Sequence, residues 1–217
     1  MSASRSKKSA QNMMFGFLYQ LTTLVLSFIS RSVFIRVLGT EYLGLNGIFT
    51  DVLQLLSMAD LGFSLAMSYS FYKPLAEDDN EKIASLIAFY NKVYNIIAVA
   101  VTVLGLLFVP FLRLIIKTEK DIPNLELYYL FALAGVVISY LFVYKTTLLT
   151  ADQKDYKITR VQTVTSIIKT ILQVIALLLF GNYIIYLAIN LIVNFANNYY
   201  ASRVAIREFP YIADTRN

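Results

Sequence analysis

Runs of about twenty mostly apolar residues recur along the whole chain, and they limit the possible folds more than any other feature. Six such runs can be drawn, over residues 12–38, 45–72, 83–116, 124–149, 157–180 and 183–206. Each supplies the ~20 helical residues needed to cross a hydrocarbon core ~30 Å thick. The chain has 217 residues, of which 58% are hydrophobic and only 15% charged. That charged share falls well below the quarter or so typical of soluble domains. The expected fold class is therefore all-α: a polytopic membrane protein with a six-helix transmembrane bundle. The spans fill residues 12–207. A polar, basic tail at 1–11, expected to lack structure, and a short end at 208–217 flank them. Pro110 lies inside the third run and should kink it near its end.

Arg31, Asp51 and Asp60 sit inside the first two runs, away from their ends. An ionised side chain deep in a membrane helix costs roughly 2.5–3.5 kcal/mol on insertion scales, so it persists where it faces a wet cavity or a partner. Helical spacing sorts the polar residues into stripes. Gly16, Gln20, Thr23, Ser27 and Arg31 share one face of span 1, whereas Arg36, about 140° away, lies where it can reach the interface. Span 2 carries Asn46, Thr50, Ser57, Ser64 and Ser68, and Asp51 is deep enough to pair with Arg31. Gln162, Ser166, Lys169 and Gln173 line one side of span 5, with Lys169 near the middle of its run. Span 6 offers Tyr183, Tyr186, Asn190, Asn194 and Asn197. Spans 1, 2, 5 and 6 are thus expected to line a polar interior, and spans 3 and 4 to meet lipid. Such stripes also serve simply to hold helices together.

The basic residues are distributed by loop. Arg5, Lys7, Lys8, Lys73, Lys82, Lys145, Lys154, Lys157, Arg160, Arg203, Arg207 and Arg216 fall on one side, against Arg36, Arg113, Lys117 and Lys120 on the other. An excess of Lys and Arg marks the cytoplasmic face, so both termini are expected in the cytoplasm, with the chain in the cytoplasmic membrane. No nucleic-acid motif accompanies these charges. The sequence has no cysteine and no histidine, which removes disulfides, thiolate nucleophiles and imidazole chemistry. No phosphate-cradling glycine motif occurs, so neither an enzyme nor a cofactor is expected.

Three segments carry a resemblance. RVLGTEYLGLNGIF (36–49), LLSMADLGFSLAMSYSFYKPLAEDDNEKI (55–83) and YKTTLLTADQKDY (144–156) are similar to Wzx-type polysaccharide flippases. Those proteins belong to the multidrug/oligosaccharidyl-lipid/polysaccharide exporter superfamily. The likeness runs from about Asn12 to Tyr211. It implies one six-span lobe of a two-lobed transporter, partnered by a C-terminal lobe or a second copy. It also implies a lipid-linked oligosaccharide substrate on undecaprenyl pyrophosphate, moved across the membrane for capsule or other surface polysaccharide. Arg31 and Lys169 would then neutralise the pyrophosphate, while Gln20, Gln162, Gln173, Asn190 and Asn194 bind substrate beside them. Two other readings stay open. In a cation-coupled antiporter lobe of the same superfamily, Asp51 and Asp60 would carry function instead. A six-span scaffold would transport nothing.

Overall fold

The computed structural model describes residues 2–58, 61–116 and 122–213. They form helices and turns with no strand among them, as expected of a backbone that must satisfy its own hydrogen bonds in lipid. The helices are α1 (Ser2–Leu38), α2 (Thr40–Ser57), α3 (Leu61–Ala76), α4 (Asn80–Phe108), α5 (Leu112–Ile115), α6 (Leu125–Ala151), α7 (Asp155–Phe180) and α8 (Tyr183–Glu208). Short 3-10 turns cover Val109–Phe111 and Pro210–Ile212.

Local chemistry sets the boundaries. The Asp79 carboxylate accepts from the Lys82 backbone N–H and caps α4, giving a structural task to part of the acidic 77–81 loop. Asn182 caps α8 by accepting from the N–H groups of Ile184 and Ile185. Between α7 and α8, Gly181 takes the left-handed conformation at φ 57°, which costs a residue without Cβ nothing. Pro110 breaks the third run as anticipated: α4 stops at Phe108, and one tight turn leads to the four-residue α5.

Among the described residues four helices are long and apolar enough to cross a membrane, or five if α2 and α3 count together as one bent span. The second run is therefore not one continuous helix. It divides into α2 and α3, whose axes differ by 53°. The four asparagines of the 26-residue α8 hold down its apolarity. The basic N-terminal stretch also departs from expectation: its described part is helical and continuous with α1.

The packing revises the role of the fourth run. That run, α6, contacts α2, α3, α4, α7 and α8 and is the hub of the bundle rather than a lipid-facing wall. Its buried side chains include Tyr128, Tyr129, Leu133, Tyr140, Tyr144 and Leu148. At Gly105 of α4, an added Cβ would come within 2.5 Å of the Leu133 side chain, so glycine lets α4 lie close against α6. In contrast, α1 leans on α7 and α2 and leaves Phe17, Leu21, Leu24 and Phe28 exposed along one side. On a membrane protein such a surface faces lipid.

Candidate functional site: two polar cavities

Two polar cavities open along the line where α1, α7 and α8 meet. The larger, about 400 Å³, takes Thr23, Ser27, Ser30 and Arg31 from α1 and Asn46 from α2. Its other wall is Ser166, Lys169 and Gln173 from α7 with Tyr186 from α8. The smaller, about 290 Å³, lies further along α7 towards Asp155 and is lined by Gln162, Thr165, Asn190, Asn194 and Asn197. Ser166 and Lys169 border both. The 3.6-residue period explains the grouping: residues 162, 166, 169 and 173 fall on one side of α7, facing the stripe that ends at Arg31.

Among the described residues the cations in this space have no acidic partner. Among the described residues no ion pair joins Arg31 or Lys169 to a carboxylate, and neither cavity has an acid in its wall. Two positive charges without counter-ions in a mostly apolar helical layer create a site that favours an anion. Hydroxyls of Ser27, Ser30 and Thr23 stand beside them, the Thr23 oxygen having no hydrogen-bond partner. An arginine plus a lysine plus hydroxyl donors suits phosphate oxygens.

At the Gly39–Gly181 end the larger cavity is backed by rings. Phe34 packs on Tyr183 and Tyr186 with centroids 5.8 and 5.0 Å apart, and Tyr183 in turn meets Tyr42 and Tyr128 at 5.0 and 4.8 Å. The Tyr183 hydroxyl donates to Asn46 Oδ1 at 3.3 Å. Phe34 and these tyrosines build one wall, because they come from four helices that converge only in the folded chain.

At the opposite end lies an ion cluster. Asp152 pairs with Lys8 at 2.8 Å and with Lys154 at 2.5 Å; Lys154 reaches Glu208 at 2.6 Å, and Lys157 pairs with Glu208 too. Asn12 adds a donor to the Gln153 carbonyl and accepts from the Tyr156 N–H. The start of α1, the α6–α7 turn and the end of α8 are tied together there. Burial on its own pushes the Lys154 ammonium towards deprotonation, but the hydrogen bonds and charges of Asp152 and Glu208 outweigh it and raise its pKa. The same lysine and Lys157 hold Glu208 below its ordinary value. These pairs join residues up to 144 positions apart, which is why only the loop charge bias could be read from the sequence.

The sequence matches the polysaccharide biosynthesis protein family over residues 9–217. The chain belongs to that family. It is the family of the Wzx-type polysaccharide flippases, membrane transporters rather than enzymes. No curated protein and no solved structure matches the chain.

In this flippase-family chain the residues singled out from the sequence separate into groups. Arg31, Lys169 and Gln173 meet in the larger cavity, and Gln162, Asn190 and Asn194 in the smaller. Gln173 is 2% exposed and its amide donates to the Tyr186 carbonyl, so it clamps α7 to α8 as well as lining the wall. Asn194 is also committed: it donates to the Gly135 carbonyl and accepts from Asn198. Gln20 is exposed and lines neither cavity. Asp51 lies in a separate hollow with Gln54, Leu55, Ser57 and Met58, so the anticipated Arg31–Asp51 pair is not formed. Asp60 lies outside the described residues.

Proposed function

We propose that this chain is one lobe of a flippase for oligosaccharides carried on a polyprenyl diphosphate such as undecaprenyl diphosphate, serving surface polysaccharide synthesis. The observation that carries the reading is the pair of cations, Arg31 and Lys169, on the two walls of one cavity without a carboxylate among the described lining residues. A diphosphate supplies the missing counter-charge. Its oxygens suit the guanidinium fork of Arg31 and the ammonium of Lys169 together. The lipid tail stays in the bilayer outside the bundle, while a second lobe or copy covers the open side and the two rock against each other. Counting α8 as a span beside the four apolar helices and the bent α2–α3 pair, the end bearing both termini faces the cytoplasm, following the basic loops. The absence of acids among the described residues of both cavity walls weighs against the cation-antiporter alternative, which needs an intramembrane carboxylate beside its substrate.

The test is binding of a polyprenyl diphosphate to the purified chain in lipid nanodiscs, against the uncharged polyprenol. Arg31→Ala and Lys169→Ala should each weaken diphosphate binding about tenfold, the scale of one charge-assisted hydrogen bond. Lys169→Arg should keep more affinity than Lys169→Ala, because charge comes first and geometry second. Equal binding of polyprenol and diphosphate would remove the reading.

A further inference from the structure

The smaller cavity differs from the larger in a way that charge neutralisation does not explain. Among the lining side chains Val193 is the sole aliphatic one, and Lys169 at the border is the sole cation. The remainder are amides and hydroxyls. They are not all engaged alike. Asn194 uses both ends of its amide, donating to the Gly135 carbonyl at 3.0 Å and accepting from Asn198 at 2.8 Å. Asn197 accepts from the Thr165 hydroxyl at 2.8 Å. These two asparagines hold α8 to α6 and α7. Across the same chamber, the amides of Gln162 and Asn190 and the hydroxyl of Tyr19 make no hydrogen bond among the described residues. Helix gluing explains the first pair and leaves the second unexplained.

A partly buried amide offers two donors and an acceptor with two lone pairs, and those of Gln162 and Asn190 stay open to a ligand because no helix–helix contact among the described residues uses them. Several donors and acceptors around one space, with no carboxylate and a single border cation, do not select a metal ion or a diphosphate. They match a ligand that carries many hydroxyl or acetamido groups and no charge. We propose that the smaller chamber is a subsite for one uncharged sugar ring, a hexose or N-acetylhexosamine. It is held by Gln162 and Asn190, while the diphosphate attached to that sugar occupies the larger cavity. The inference rests on the flippase reading above and adds to it which part of the substrate each cavity takes. Lys169, bordering both, sits at the bond between sugar and phosphate. Asn194 and Asn197 are positioning residues for the chamber rather than ligands.

The experiment compares two probes on the 217-residue chain in nanodiscs: a polyprenyl diphosphate alone, and the same lipid bearing one glucose or one N-acetylglucosamine. The wild-type chain should bind at least one sugar-bearing lipid about tenfold tighter than the bare lipid. Asn190→Ala and Gln162→Ala should bring that affinity down to the bare-lipid value and leave the bare lipid's own affinity unchanged. Asn190→Ser, which keeps a small polar side chain, serves if the alanine variant does not fold. Equal binding of bare and sugar-bearing lipids by the wild type overturns the subsite while the diphosphate reading stands. Alanine variants that weaken both probes alike overturn it too, since they would act on the fold or on the phosphate. Failure of the wild type to bind either probe overturns the flippase reading and the subsite with it.

Discussion

At one end of the bundle three cations, Lys8, Lys154 and Lys157, share two carboxylates, Asp152 and Glu208; at the larger cavity two cations, Arg31 and Lys169, have none among the described residues. Both groups sit where helices converge, and both draw residues from α1 and α7. They differ in what the rest of the chain provides. In the end cluster each charge meets its opposite at hydrogen-bonding distance, and the result ties together three chain segments. In the cavity the chain brings charge, hydroxyls and amides to one place and withholds the counter-ion. Paired charges of the first kind serve the fold. Unpaired ones of the second kind cost the fold free energy, and on the function proposed above they are retained for what they bind.

Breaking the end cluster is the larger stability experiment. Lys154→Ala removes the partner of both Asp152 and Glu208, whose side chains are only 23–24% exposed. A loss of roughly 1–3 kcal/mol in stability is expected. Thermal unfolding in detergent should show it, and cells should contain less protein with transport per molecule preserved. An unchanged melting temperature would place this cluster in the same category as the cavity.

The pH dependence sharpens the contrast. Glu208 has a folded pKa lowered from 4.5 by Lys154 and Lys157, so its contribution is fully present above that value and is lost as pH falls through the lowered one. Lys154 has a raised pKa, so its share is fully present below 10.5 and is lost as pH rises through the raised value. The stability of the wild-type chain should therefore hold between these limits and fall outside both. In Glu208→Gln the acid limb should flatten. A persisting limb of the same size would assign it to other carboxylates.

Asn12→Ala should have the smallest effect. It deletes the donor to the Gln153 carbonyl and the acceptor for the Tyr156 N–H, both near the exposed edge of the turn. About 1 kcal/mol of stability is expected, read from the same unfolding curves. A loss matching that of Lys154→Ala would mean that the turn, not the ion cluster, holds this end together.

The cavity was legible in the sequence because its residues obey a local rule. Arg31 and Lys169 lie on polar stripes with helical spacing, and Lys169 is far from either end of its run, so a shared polar interior could be anticipated. Other features depend on partners that no local pattern names. The run LELYYLFALAGVVISYLFVY in α6 is apolar on all sides, which fits a lipid-facing helix and a central one equally. Only packing against five neighbours makes it the hub. Asn194 and Asn190 are four residues apart on one stripe, yet one is consumed by Gly135 and Asn198 while the other is not. Asp51 shares its helix with Asn46, but Asn46 lines the larger cavity with Arg31 while Asp51 lies in a separate hollow.

The central claim is that the unpaired cations are kept for binding and not for the fold. The direct measurement is made on one set of variants, Lys169→Ala, Arg31→Ala and the double substitution. It records melting temperature, abundance in the membrane and export of surface polysaccharide by the producing cell. The account predicts that abundance stays near normal and the melting temperature is unchanged or higher, because a cation without a counter-ion has been removed from an apolar layer. Export should be lost. A fall in melting temperature and abundance that matches the fall in export, or full export at normal abundance, would contradict it.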